Sequence, residues 1–345
     1  MADTERSFAL LIGDTAVNAL KEILQETVHI NPRQLDAWLD ERLNGLKQNV
    51  LERILSGRGR STGNVELHAC KSLRSIVEAY YEPLVNGLMR LGLGFIDAEY
   101  ETVSKLLIGA SSGVFSAIFE VGLAWDMLFD LPYIPGSSIK GLVRSWALRR
   151  CAELSSDKRR RCAELVFQVF GAAAGRQAGG EESSWFEEVF GGVPRAREPA
   201  GGWVGLVTFY DSYPVRGGSG VLACGLLEPD VITPHYYRGG EPVRDEFEAC
   251  PVPVPHLVVA PGTVFRMVVS LDPGGEDTIR SLVSLLGRSG FHDGVGALTW
   301  LLASALGEGV GARTGKGYGA VQGGEVRLQP VSIRFHRGSR SLSWE

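Results

Sequence analysis

Leu35, Trp38, Leu39, Leu43, Leu46, Val50 and Ile54 recur at the spacing of one helix face and stop before Gly57. Asn31-Pro32-Arg33-Gln34 precedes them as a cap residue, a proline suited to the first helical position and a glutamine. A second apolar series, Leu67, Leu73, Ile76, Val77, Tyr80, Leu84, Leu88 and Leu91, ends before Gly92. The basic stretch Gly57-Arg58-Gly59-Arg60-Ser61-Thr62-Gly63 lies between the two as a linker. The period then changes. Phe115, Ala117, Phe119, Val121, Leu123 and Trp125 alternate, which predicts a half-buried strand.

Pro132-Tyr133-Ile134-Pro135-Gly136-Ser137-Ser138-Ile139-Lys140-Gly141 reads as a rigid turn running into a helix that carries Leu142, Val143, Trp146 and Leu148, with Ser137 as its cap. Strands are expected from Trp203 to Tyr210, ending at Asp211, from Val264 to Leu271, and over Val326–Phe335. Helices are expected over 276–287 and 295–306. Residues 171–202, rich in Gly, Ala and Glu, read as an insertion, and residues 212–261, with eight prolines, as an extended excursion. From residue 112 onward the order is strand, helix, strand, excursion, strand, helix, strand. That order fits an α+β, ferredoxin-like domain: four antiparallel strands with two helices on one face. The division expected is a helical N-terminal region, 1–95, and a ferredoxin-like domain, 96–345, with insertions 171–202 and 212–261.

Composition changes this picture little: 44% hydrophobic and 22% charged residues suit an ordinary globular chain of 345 residues. No apolar run is long enough to span a bilayer, and the first residues lack a basic secretory leader, so a cytoplasmic protein without membrane contact is expected. The five cysteines, Cys70, Cys151, Cys162, Cys224 and Cys250, are scattered and form no C-x-x-C, which predicts reduced thiols and no zinc site. Charge is more informative. The net charge is −5, yet residues 131–161 hold eight Lys/Arg against two acids and residues 301–345 six against three. A basic face on an acidic body suits binding of a polyanion at one surface.

Candidate chemistry concentrates in Gly309-Val310-Gly311-Ala312-Arg313-Thr314-Gly315-Lys316-Gly317-Tyr318-Gly319. Five glycines in eleven residues exclude a helix interior, and the interleaved cations, hydroxyl and aromatic ring match a phosphate chain with a base to stack. It is neither a Walker A loop nor a dinucleotide fingerprint, because Gly317 follows Lys316 and Thr314 stands where the fingerprint needs glycine. The helix start at Ser137 offers outward backbone amides to an anion, with Lys140 and Arg144 on the first turns. Ser137-Ser138-Ile139-Lys140 also fits the S-x-x-K of serine acyl-transferases, but their asparagine-bearing element is missing: no asparagine follows Asn86. His68 and Cys70, two apart on a helix, make a poor metal pair, and His292-Asp293 reads as a capping loop. No cofactor is expected.

Together, the P-Y-I-P-G-S-S-I-K-G element, Thr233-Pro234-His235-Tyr236-Tyr237 and the glycine-rich loop resemble the RAMP superfamily of CRISPR-associated proteins, and within it the subunit-six type of the type III-B (Cmr) RNA-targeting effectors. The resemblance covers about residues 110–335. It implies an RRM-like fold packed in a filament along a CRISPR guide RNA, at the end that holds the 3′ part of the guide, with target RNA and other Cmr RAMP subunits as partners. It makes Lys140, Arg144, Arg313 and Lys316 candidates for guide phosphates, Ser137, Ser138 and Thr314 hydrogen-bond donors, and Tyr318 a stacking residue, with His235 and Tyr236 as further RNA contacts. Residues 212–261 are candidates for a wedge between the bases of a guide–target duplex. In such complexes target cleavage belongs to a loop aspartate of another subunit. Asp126 and Asp130 match no such motif, so a non-catalytic role in antiviral defence is expected. The alternative is an RNase of the same superfamily, with His235 as general acid/base assisted by Tyr236 or Lys316.

Overall fold

The computed structural model describes residues 73–110, 119, 121–171, 188–190, 204–233, 237–238, 241–245, 253–321 and 329–334. The helix expected over 35–56, the basic linker 57–63, His68, Cys70, Cys250, His235 and Tyr236 lie outside them, as do most of residues 171–202.

The second apolar series forms helix α1, Leu73–Leu91, with Leu73, Val77, Tyr81 and Leu88 on its buried face. The chain turns at Gly92, where φ is +69°. Strand β1, Gly94–Glu101, follows at once. It is the first strand of the main sheet, a place the sequence reading gave to residues 115–125. The segment after β1 explains the difference. The Gly122 and Ala124 amides donate to Ala110 and Ile108, both at 2.8 Å, so alternation there reflects a loop folded on a neighbouring loop. Phe119 and Val121–Ala124 lie in no strand. Among the described residues of that segment only Trp125–Asp126 (β2) pairs, with Leu131–Pro132 (β3), in a short hairpin.

The remaining strands are β4 (Val207–Phe209), β5 (Tyr213–Arg216), β6 (Leu227–Ile232), β7 (Tyr237–Arg238), β8 (Glu241–Pro242), β9 (Val254–Val259), β10 (Val264–Leu271) and β11 (Gln329–Arg334). The main sheet runs β11-β1-β10-β4, with β5 also on β10, and every pairing is antiparallel. β10 is buried along its whole length. The strand expected to stop at Asp211 therefore continues to Arg216 after a break. Residues 212–261 are also less irregular than expected, because β6 and β9 form a ladder from Leu227↔Val259 to Ile232↔Val254.

Helices α2 (Gly136–Ala152), α3 (Ser156–Phe170), α4 (Glu276–Leu285) and α5 (Gly294–Leu306) are the longer helices that follow α1 among the described residues. α3 escaped the sequence reading because its first turns, Ser156 to Arg161, are mostly charged and, apart from half-buried Arg159, exposed. Its apolar half, Cys162 to Phe170, supplies seven buried residues. Alternation along β1 places the layers. A Cβ at Gly94 would meet Val295 of α5, whereas Glu99, on the other face, pairs with Arg74 of α1 at 2.9 Å. The sheet is thus covered on both sides. On the α1 face Asp97 is buried, and Arg266 neutralises it through two hydrogen bonds of 2.8 and 2.6 Å. Burying such a pair is tolerable because each carboxylate oxygen has a partner.

The thiol expectation is corrected. Cys151 at the end of α2 and Cys162 in α3 form a disulfide, with Cα atoms 5.5 Å apart, and Cys224 is also disulfide-bonded. A helix-turn-helix hairpin folds two cysteines 11 residues apart against each other, which spacing along the chain does not reveal.

Candidate nucleic-acid interface

The glycine-rich segment leaves α5 and folds back on the loop that follows β1. Val310 N–H donates to Gly319 O at 2.8 Å, Ala312 N–H to Leu107 O at 2.8 Å and Gly319 N–H to Lys105 O at 2.7 Å. The base of the loop is therefore tied down by backbone, and this needs glycine: at Gly319, with φ +66°, a Cβ would lie 1.8 Å from Val310 O. The tip is different. Arg313 adopts the left-handed conformation, φ 62°, and introduces a single 3₁₀ turn, Thr314–Lys316, closed by Gly317 at φ 86°. Thr314, Gly315, Lys316 and Gly317 are all exposed. Gly315 has no positive φ and nothing within 4 Å of a built Cβ, so neither the turn nor packing requires glycine there.

Arg313 is half-buried, its guanidinium carbon 5.4 Å from the centre of the Tyr318 ring. The Tyr318 hydroxyl donates to Asp230 of β6, whose carboxylate also meets Lys105 Nζ at 3.2 Å. Burial alone would raise the Asp230 pKa, but hydrogen bonds from Tyr318, the Val231 amide and Lys105 outweigh it and hold the carboxyl below its usual range. The same contact, added to desolvation, pushes the Tyr318 phenol up to about 12. Across the ladder from Asp230 lies His256, buried; desolvation lowers its pKa and its Nε2 has no hydrogen-bond partner among the described residues. The sequence reading did not single out Lys105, Asp230 or His256. Only the pairing of β6 with β9 and the folding-back of the loop bring them together.

The start of α2 is built otherwise. Pro135, not Ser137, is the residue before the helix, and no side chain of its own caps it. The Gly136 amide donates instead to Asp211 Oδ1 at 2.8 Å. The position where an anion was expected thus holds the chain's own carboxylate, on a close contact that only glycine permits: a Cβ at Gly136 would lie 2.4 Å from Phe209 O. Ser137 and Ser138 are exposed, Lys140 is half-buried, and Arg144 lies over the Phe167 ring of α3 at 5.1 Å. The end of α2 that reaches toward the glycine-rich loop is its last turn, where Arg149 pairs with Glu308, directly before Gly309. Gly136 stands thirteen residues earlier, roughly 20 Å along the axis.

The basic stretch 131–161 is also partly neutralised within the fold. Besides Arg149–Glu308, Arg150 pairs with Glu153 at 3.0 Å, and Arg160 and Arg161 each with Glu164 at 3.6 Å. Asp126 accepts from the Leu128 and Phe129 amides and from Tyr213 Oη, and Asp130 from Trp125 Nε1. Both acids serve the β2–β3 hairpin. Asp293 caps α5 by accepting from the Gly296 amide at 2.7 Å, as the capping-loop reading of His292-Asp293 expects. Among the described residues no group of three metal-ligating side chains occurs, and no helix is long and apolar enough to cross a membrane.

Comparison with known proteins follows the same elements. The chain is 32% identical over 193 residues to the CRISPR system CMR subunit Cmr6 of Saccharolobus solfataricus, a match that covers 56% of this chain and only 51% of that relative. It is 25% identical over 270 residues to the Cmr6 subunit of Pyrococcus furiosus, covering 71% of this chain and 72% of the relative. Among solved structures it resembles a chain of the Type III-B Cmr-beta complex bound to cognate target RNA, with a TM-score of 0.53, 25% identity, and coverage of 95% of this chain and 94% of that one. The RAMP superfamily model matches residues 99–322, from β1 through the glycine-rich loop, and by that match the chain belongs to the RAMP superfamily.

Proposed function

We propose that this chain is a non-catalytic, RNA-binding structural subunit of a type III-B CRISPR (Cmr) effector complex, holding the 3′ part of the guide RNA and helping to hold the guide–target duplex. The observation that carries the reading is the exposed tip of the glycine-rich loop: Lys316 and Thr314 project beside Gly315, whose missing side chain leaves the backbone open to a ligand. A ribose-phosphate strand uses cations, hydroxyls and close backbone approach together. Arg313 and Tyr318 form the half-buried flank of that surface; Ser137, Ser138 and Lys140, on the first turns of α2, are a second and separate candidate contact. Arg144 contributes through packing on Phe167. The names of the two relatives and the complex that the similar solved chain occupies support assignment to a Cmr complex, with other RAMP subunits as neighbours.

The architecture belongs to the same proposal. A strand, α2, the β4/β5 segment, β10, α5 and a last strand, ordered β11-β1-β10-β4, correspond to a ferredoxin-like domain over 96–345, preceded by a helical region in 1–95. The non-catalytic assignment rests on the structural duties of Asp126 and Asp130. The test is isolation of the tagged chain from its host, with sequencing of bound RNA and identification of co-purifying proteins. Guide-length CRISPR RNA together with other RAMP subunits is the expected result. Recovery of the chain alone, or with RNA unrelated to CRISPR arrays, overturns the proposal.

A further inference from the structure

Asp230 stands on β6, 88 residues from Tyr318 in sequence, yet the two side chains share a hydrogen bond. Lys105, in the segment after β1, reaches the same carboxylate at 3.2 Å and Glu228 at 3.6 Å. Three separate parts of the chain therefore meet on one carboxylate. Above it, the Tyr318 ring carries the Arg313 guanidinium at 5.4 Å. An acid beside a surface that takes a polyanion is electrostatically unfavourable, since it repels the very phosphates that the loop attracts. Its presence calls for a reason that outweighs repulsion.

We infer that Asp230 and Lys105 are positioning residues for RNA binding: by holding the Tyr318 hydroxyl they fix the ring against which Arg313 is set, and they lock the glycine-rich loop to the β6–β9 ladder as one surface. The loop needs such a lock. Its base is pinned by backbone hydrogen bonds to Lys105 and Leu107, but the tip, Thr314–Gly317, makes no side-chain hydrogen bond among the described residues. A loop with this much glycine loses considerable backbone freedom on binding unless it is ordered beforehand. The Tyr318–Asp230 bond is the side-chain tie that supplies that order. Ile232 ends β6 two residues beyond Asp230, so the lock ties the glycine-rich loop to the strand that leads into the Thr233-Pro234-His235-Tyr236-Tyr237 element. The lock is also insensitive to pH near neutrality. Asp230 is held below the usual carboxylate range and the Tyr318 phenol is pushed up to about 12, so neither titrates between pH 6 and 8.

This inference rests on the RNA-binding reading of the loop, and the experiment separates the two. Full-length protein and its variants are titrated with a fluorescein-labelled, guide-length single-stranded RNA across a salt series, with melting temperatures recorded alongside. If Asp230 were only a nearby negative charge, Asp230→Ala would tighten binding. As a positioning residue, its replacement weakens binding about tenfold at each salt concentration, with the salt slope unchanged because no phosphate contact is removed. Tyr318→Phe, which keeps the ring under Arg313 and loses only the hydroxyl, weakens binding by a similar factor. The double variant is no weaker than either single one, since both break one bond. Tighter or unchanged binding by Asp230→Ala, or additive losses in the double variant, overturns the inference. So does a lowered melting temperature that accounts for the whole loss in both single variants. Arg313→Gln with Lys316→Gln serves as the control for the parent reading: if that variant binds as the wild type does, the loop is not the RNA surface and the proposed function fails first.

Discussion

The first turn of α2 and the tip of the glycine-rich loop carry similar residues and were expected to do the same thing. The structure builds them in opposite ways. At α2 the Gly136 amide is already bonded to Asp211, and the glycine serves close packing on Phe209. At the loop the packing glycines lie at the base, whereas Gly315 at the tip faces open space. A helix N-terminus favours negative charge, but that preference is satisfied equally well by the protein's own carboxylate. Anion affinity read from a helix start is therefore conditional on what else in the fold can reach it. Affinity read from a loop that must project is less so.

This contrast can be broken at its extremes. Gly319→Ala places a Cβ against Val310 O and strains a left-handed residue, so it lowers stability by roughly 3 kcal/mol in chemical denaturation. Gly315→Ala leaves stability within about 0.5 kcal/mol of the wild type yet weakens RNA binding. If both variants lose equal stability, the base and the tip are not the distinct parts described here. Asp211→Ala removes the acceptor at the α2 start and destabilises by about 1 kcal/mol, comparable to a lost helix cap. Its RNA affinity is equal to or slightly above that of the wild type, because a negative charge is gone. A marked fall in affinity without a fall in stability would instead give that helix start a direct part in binding. The smallest effect belongs to Lys140→Gln, which reduces affinity about twofold in the same titration, as a contact at the edge of the surface. A loss as large as that from altering the loop would put the centre of the interface on α2.

Much of the framework was legible because it depends on local pattern. β10 follows Val264 to Leu271 as its mostly apolar, β-branched run predicts, and α4 and α5 start within a residue of their expected positions. β1 was obscured because a buried Asp97 interrupts its apolar run, and the partner that makes that burial tolerable, Arg266, is 169 residues away. The alternation of Ile96, Ala98 and Tyr100 with Asp97, Glu99 and Glu101 was the available signal. Phe119 and Val121–Ala124, which lie in no strand, show the converse error, since alternation records which side chains are buried and not what covers them. At the candidate interface the exposed cations could be read from composition. Their supports could not: Lys105, Asp230 and His256 belong to elements that meet only once the β6–β9 ladder and the loop have folded back on the sheet. The Asp211 contact was hidden because its partner, Gly136, is 75 residues away, and the Cys151–Cys162 bond because it depends on the turn between α2 and α3.

The most direct test of the central claim, that the exposed tip of the glycine-rich loop touches RNA phosphates, is the salt dependence of binding of guide-length single-stranded RNA to the full chain and to Arg313→Gln, Lys316→Gln. Each phosphate contact on a single strand contributes about 0.7 to the slope of log K against log salt. The account predicts a slope shallower by about 1.4 in the double variant, with the melting temperature preserved. An unchanged slope in a folded variant would contradict it.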